Sequence, residues 1–384
     1  MLILSMTSPL STDMYLAAFP TLLDELHTNS QMLNYTLVGF FAFYAIGMLL
    51  FGPLSDKYGR KPVLLCGIAL YSLASLGCAF IDTVEQLIVL RILEALGAGS
   101  MVSIATAIIK DSFNANDRAK TIALIQMLSV FAPTLAPVIG AFIIKYATWR
   151  TTFFVLCGLS VGSFLLTTLY RETLQKENRL QGNIWQSFIP LGGIFTNSSF
   201  MLMILTTGMS SLIYMGFIAV SSYIYVQWFG LSETNYSLFF AINSLVLILG
   251  PFVFVRVRNL ISGIKLLYIG LTVITISGIL ISTIGVTSPL LFLLCFMPIT
   301  FNNSFLRTFA TNVLLGQPNM SAGASASVIN FSYTALGSVG MIVGALAWDN
   351  FVIGLGTIAI CAGITGLILW FMYNKLKLSL EGLS

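Results

Sequence analysis

The sequence predicts an all-α polytopic membrane protein with twelve transmembrane helices in two six-helix bundles. Three observations predict it. Of 384 residues, 57% are hydrophobic and only 8% are charged, with a mean hydropathy of +0.93. A soluble domain carries about 25% charged residues, so this chain cannot cover a water-facing surface. Its apolar residues also come in runs of about 20, the length that crosses a bilayer as a helix. One long polar connector, residues 171–197, divides the runs six and six. Strict alternation of apolar and polar residues is absent, which excludes a membrane barrel.

The spans follow in order. The first, 2–23, has no basic residues ahead of it and no small-residue cleavage site, so it reads as a span rather than a cleaved signal. The chain begins almost at span one with no basic tail, which is expected of a truncated start. Span two, 32–54, runs into Gly52-Pro53-Leu54-Ser55-Asp56-Lys57-Tyr58-Gly59-Arg60-Lys61-Pro62, a knot of charge and turn residues. Spans three to six are 62–81, 87–109, 119–144 and 151–170. The second set is 198–227, 234–255, 265–285, 290–314, 322–347 and 351–373. The expected domains are therefore an amino-terminal bundle at 1–170, a linker at 171–197 and a carboxy-terminal bundle at 198–384. The run 183–194, with Trp185, Phe188 and Ile189, has the character of an interfacial helix within that linker.

Lysine and arginine set the orientation. With both termini on one side, that side collects fourteen basic residues, among them Lys57, Arg60, Lys61, Arg171 and Lys375, while the other collects Lys145 and Arg150. Both termini and the linker are expected to be cytoplasmic. The net charge of +4 serves this orientation and does not imply nucleic-acid binding. Each of the five cysteines stands alone in an apolar run and the single histidine is His27, so no metal site is expected. No G-x-x-x-x-G-K-[ST] sequence exists, so ATP is not implied. With no nucleophile–base set either, an enzyme is excluded.

The halves carry an internal echo. Gly52-Pro53 ends span two with Arg60 eight residues after the glycine, and Gly250-Pro251 ends span eight with Arg258 at the same spacing. The position of Asp56 is taken by Phe254. Repeated halves of six spans mark a transporter architecture with its substrate site between them, near the midplane.

These residues resemble the major facilitator superfamily. Gly52-x-Leu54-x-Asp56-x-x-Gly59-Arg60-Lys61 is similar to its signature between spans two and three. Leu90-Arg91 followed by Gly97-x-Gly99 is similar to its span-four motif. Ala132-Pro133-x-x-Ala136-Pro137-x-x-Gly140 resembles the span-five motif of drug/proton antiporters, with Ala132 where a glycine is usual. Thr12-Asp13-Met14-Tyr15-Leu16, Trp149-Arg150, Glu172-Thr173-Leu174, and Pro318 followed by Ala322-Gly323-Ala324-Ser325-Ala326-Ser327 resemble the bicyclomycin/chloramphenicol-resistance (Bcr/CflA) branch. The resemblance implies the major facilitator fold and proton-coupled export of amphipathic compounds across a bacterial inner membrane. It implies a proton gradient and no cofactor. The partners are a small-molecule drug, protons and membrane lipid, with no obligate protein partner. An exporter of a metabolite, such as a sugar or amino-acid derivative, is the alternative.

Ionisable side chains within spans are costly and usually functional. Four are present: Asp13, Arg91, Glu94 and Arg307. Asp13 and Arg91 read as a proton-coupling pair or as a permanent ion pair fastening spans one and four. Glu94 shares a helix face with Arg91. It is either a second proton carrier, a charge that recognises cations, or a local partner that neutralises Arg91. Arg307 has no acid near it in sequence; it either snorkels to the cytoplasmic interface or faces a cavity and attracts anions. Pro133, Pro137 and Gly140 form one small face on span five, read as a hinge between the halves or an ordinary kink. Gly52, Asp56, Gly59, Arg60 and Lys61 read as a gating loop, with Asp56 at the start of span eleven near 321–323 and Arg60 paired with Asp111 or Asp117. The alternative is that its charges only set topology. Substrate-pocket candidates are Tyr15, Tyr44, Gln126, Met127, Tyr214, Asn302, Asn303 and Asn330, because a mostly apolar cavity with a few polar anchors suits amphipathic ligands.

Overall fold

The computed structural model describes residues 2–16, 18–112, 135–175, 177, 179, 189–257, 260–317, 322–376 and 380. Its helices are α1 (Leu2–Leu16), α2 (Phe19–Glu25), α3 (Ser30–Tyr58), α4 (Arg60–Cys78), α5 (Val84–Ser112), α6 (Leu135–Tyr146) and α7 (Trp149–Leu169). They continue with α8 (Ile189–Phe195), α9 (Ser198–Ser222), α10 (Glu233–Val257), α11 (Gly263–Thr283), α12 (Pro289–Leu315), α13 (Ala322–Gly344) and α14 (Phe351–Lys375). Ten of these are long and apolar enough to cross a membrane, and no strand occurs among the described residues. The all-helical class expected from the sequence holds.

Helix starts follow local chemistry. Asn29, Asn197 and Ser288 precede α3, α9 and α12, and each side chain accepts a hydrogen bond from the backbone N–H three residues on, at 2.8, 3.0 and 3.2 Å. Such caps satisfy donors that the first turn leaves open. Span one differs from the sequence reading. It is two helices rather than one, since α1 ends at Leu16 and α2 restarts at Phe19. Pro20 in the first turn of α2 explains the restart: it needs no hydrogen bond there, and its fixed φ suits a helix start. In span seven, α9 runs into a wider π-helical turn at Tyr223–Trp228. Most of span five, including Gln126, Met127 and Pro133, lies outside the described residues.

The chain forms two compact units, Met1–Ile189 and Pro190–Ser384. In the first, α5 packs on α3 and α4, α4 on α7, and α1 on α5 and α7. In the second, α12 packs on α10 and α11, α11 on α14, and α9 on α13 and α14. The Gly-Pro echo has a packing counterpart. A side chain at Gly52 of α3 would meet Ser103 of α5, and one at Gly250 of α10 would meet Ser304 of α12. Equivalent helices in the two units thus approach at glycine through a serine.

Candidate functional site

Arg91 and Glu94 stand three residues apart on α5, on one helix face. Their side chains pair at 2.7 Å and neither has any exposure. The second carboxylate oxygen of Glu94 accepts from the Ser11 hydroxyl at 3.3 Å, and Ser11 also hydrogen-bonds Tyr71 of α4. The guanidinium lies against the rings of Phe40 at 4.2 Å, Tyr15 at 4.9 Å and Phe153 at 5.9 Å. Tyr15 is fixed in turn by a 2.7 Å bond to Thr36. Five helices therefore close around one ion pair.

Asp13 lies outside this cluster. Among the described residues no ion pair joins it to Arg91; its carboxylate accepts from the Thr12 hydroxyl at 2.9 Å, and it is 3% exposed. The expected Asp13–Arg91 pair is replaced by Arg91–Glu94, the local arrangement among the alternatives. Helix geometry gives the reason. At about 100° per residue, Ser11 and Tyr15 share the face of α1 turned to Arg91 and Glu94. Asp13, two residues from each, points the other way. Met14 beside it receives α6: a Cβ at Gly140 would fall on the Met14 carbonyl. Ala136, Pro137 and Gly140 are all buried. Of the small face expected on span five as a hinge between halves, the described part meets α1 at Gly140, beside Asp13, while Pro133 lies outside the described residues.

A second constellation lies at the α3–α4 connection. Gly59 has φ +104°, and a Cβ there would stand 2.6 Å from Glu172. The Arg60 side chain, 8% exposed, bonds Asp56 at 2.5 Å, Asp111 at 2.9 Å and Ser55 at 2.6 Å. The Glu172 carboxylate accepts from the backbone N–H groups of Arg60 and Lys61 at 3.0 and 3.1 Å, and from Leu174 at 3.1 Å. Lys61 donates to the Thr168 carbonyl at 2.7 Å. Of the two acids expected for Arg60, Asp111 is the one seen, since Asp117 lies outside the described residues. So does Ser321, at the start of the segment expected to meet Asp56.

The major facilitator family model matches residues 1–345. The chain belongs to the Major Facilitator Superfamily. A bicyclomycin resistance protein homolog of Haemophilus influenzae is 28% identical over 97% of this chain and 95% of its own length. A multidrug resistance protein MdtL of Salmonella paratyphi B is 24% identical over 93% of this chain and 88% of its own. A crystal structure of a peptide transporter (POT, with alafosfalin or sulfate) superposes with a TM-score of 0.79 in the sulfate complex, at 15% identity, covering 97% of this chain and 94% of that one.

As a major facilitator protein the chain is a multi-pass membrane transporter for small molecules and not an enzyme. Its remaining candidate residues divide by exposure. Tyr15 is consumed by the Arg91 cage. Asn302 is buried and donates back to the Pro298 carbonyl at 2.9 Å, and Tyr214 is buried among packing side chains. Asn303 is buried with its side-chain oxygen unpartnered. Tyr44 is half-buried, stacked on Phe40, and Asn330 is exposed. The sequence reading gave no role to Glu172, Ser11 or Tyr71. Glu172 had a signal, as part of Glu172-Thr173-Leu174. Isolated hydroxyls such as Ser11 and Tyr71 had none.

Proposed function

We propose that this protein is a proton-coupled exporter of amphipathic small molecules, of the kind handled by bicyclomycin and multidrug resistance transporters, in a bacterial inner membrane with both termini cytoplasmic. One observation carries the coupling assignment: Asp13 is a buried carboxyl free of any ion pair among the described residues, with one hydroxyl donor, while Arg91 is already neutralised by Glu94. A buried acid without a fixed cation changes protonation with its surroundings. Asp13 also sits against the tight α1–α6 contact at Met14 and Gly140, so its protonation state bears on helix packing at that turn. Alternating access then follows: protonation of Asp13 from outside and drug binding from inside favour opposite conformations.

The test uses proteoliposomes with an imposed pH gradient and a resistance profile in an efflux-deficient host. Wild type should move protons when drug is added and lose export on addition of an uncoupler. Asp13→Asn should fold, bind drug and abolish drug-driven proton movement. Undiminished exchange in that variant, or export indifferent to the uncoupler, removes proton coupling through Asp13.

A further inference from the structure

The charges inside the spans are unequally placed. The first unit holds Asp13, Arg91 and Glu94. Away from the span ends the second holds Arg307 alone; the acids after residue 198 are Glu233, Asp349 and Glu381, all at span ends or beyond. Arg307 lies eight residues before the end of α12, about 12 Å along the helix at 1.5 Å per residue. Its Nη2 donates to Asn330 Oδ1 of α13 at 3.1 Å, and its guanidinium stands 5.5 Å from the Tyr333 ring centre. Tyr333 is buried and tied to Thr207 of α9 at 2.6 Å. Two contacts thus hold the guanidinium in place, and among the described residues most of its five N–H donors have no partner. No carboxylate among the described residues pairs with it. One helical turn back on the same face, Asn303 is 8% exposed and its Oδ1 has no partner.

Arg307 and Asn330 are both exposed. At that depth a charged and an amide side chain facing hydrocarbon would be costly. This face of α12 and α13 therefore fits an aqueous route rather than lipid. A guanidinium that is preorganised, unpaired and wet is suited to a carboxylate or similar oxyanion, which its planar fork binds through two hydrogen bonds. The open Asn303 oxygen beside it is an acceptor, suited to a hydroxyl or N–H elsewhere on the same ligand. We infer that Arg307, held by Asn330 and Tyr333, is the recognition point for an anionic group on the transported molecule, so that amphipathic organic anions are substrates. The inference rests on the exporter reading above and names the substrate class within it.

The experiment measures binding by calorimetry to the purified full chain in detergent, with no gradient present. The probes are phenylbutyrate, naphthylacetate and cholate, each against its neutral primary amide. Wild type should bind at least one carboxylate roughly tenfold or more tighter than its amide, the scale of one charge-assisted hydrogen bond. Arg307→Gln should erase that preference and leave amide affinity within about twofold. Arg307→Lys should keep part of it. Should Arg307→Gln aggregate, Asn330→Ala decides, since it loosens the guanidinium and should cut the preference severalfold. Equal affinity for acid and amide, no binding of any carboxylate by wild type, or a preference that survives these substitutions overturns the proposal. Loss of proton exchange in Asp13→Asn would leave this result untouched, so the two readings fail separately.

Discussion

Glu94 neutralises Arg91 at 2.7 Å, three residues away on the same helix, with neither side chain exposed. Removing one member of such a pair leaves a buried charge alone and costs about 3–5 kcal/mol, whereas replacing both with apolar residues is often neutral. Glu94→Ala should therefore lower thermal stability in detergent far more than the double change Arg91→Met, Glu94→Leu. Size-exclusion profiles after graded heating would read this. Equal melting of Glu94→Ala and wild type would show that the pair does not hold α5 in the bundle.

Gly140 gives the second prediction. Its Cα lies so close to the Met14 carbonyl that any side chain must push α6 away from α1. Overpacking of this kind costs about 1–3 kcal/mol. Gly140→Val should destabilise the protein and reduce drug-driven proton exchange more than Leu135→Val, which alters an exposed residue on the same helix. Parity between the two in a proteoliposome exchange assay would detach the α1–α6 contact from function.

The helical class was legible in the sequence because bilayer length and scarcity of charge leave few other solutions. The Gly-Pro echo was legible too, since Gly52 and Gly250 meet serines on equivalent helices. The charged residues buried in the spans were legible, and their pairing was less so. Asp13, Arg91 and Glu94 stand out as charges in apolar spans, but which carboxylate reaches Arg91 depends on the rotation of α1. Ser11 and Tyr15 fix that rotation, and nothing in their spacing announces it. The break after Leu16 was hidden for a similar reason: Pro20 permits a helix start or a bend, and hydropathy does not separate them.

Gly59 supplies the third prediction. With φ at +104° and ψ at 152° it occupies backbone space open almost only to glycine, which a side chain disfavours by roughly 1–3 kcal/mol, and Glu172 crowds the position where a Cβ would go. Gly59→Ala should lower stability by that strain or more and disturb the adjoining capping bonds. Ala in place of Gly193, where nothing stands within 4 Å, is the matched control. Similar denaturation midpoints for the two variants would contradict a strained turn at Gly59.

The last prediction concerns Glu172, whose carboxylate takes the first N–H groups of α4 at Arg60 and Lys61. The start of a helix carries partial positive charge and open donors, so a carboxylate there contributes about 0.3–2 kcal/mol. Here the carboxylate comes from the segment after α7, so the same bonds tie that segment to the α3–α4 connection. Glu172→Gln keeps the shape but removes the charge and one acceptor. Hydrogen exchange at the first turn of α4 should then rise several-fold, and the chain after Tyr170 should become more sensitive to protease. Glu177→Gln, an exposed change in the same segment, should alter neither. If Glu172→Gln leaves both exchange and proteolysis unchanged, the carboxylate is an incidental neighbour. If both rise while proton exchange in proteoliposomes falls, the tether at Glu172 belongs to the moving parts of this end of the bundle, together with Arg60 and its partners Asp56 and Asp111.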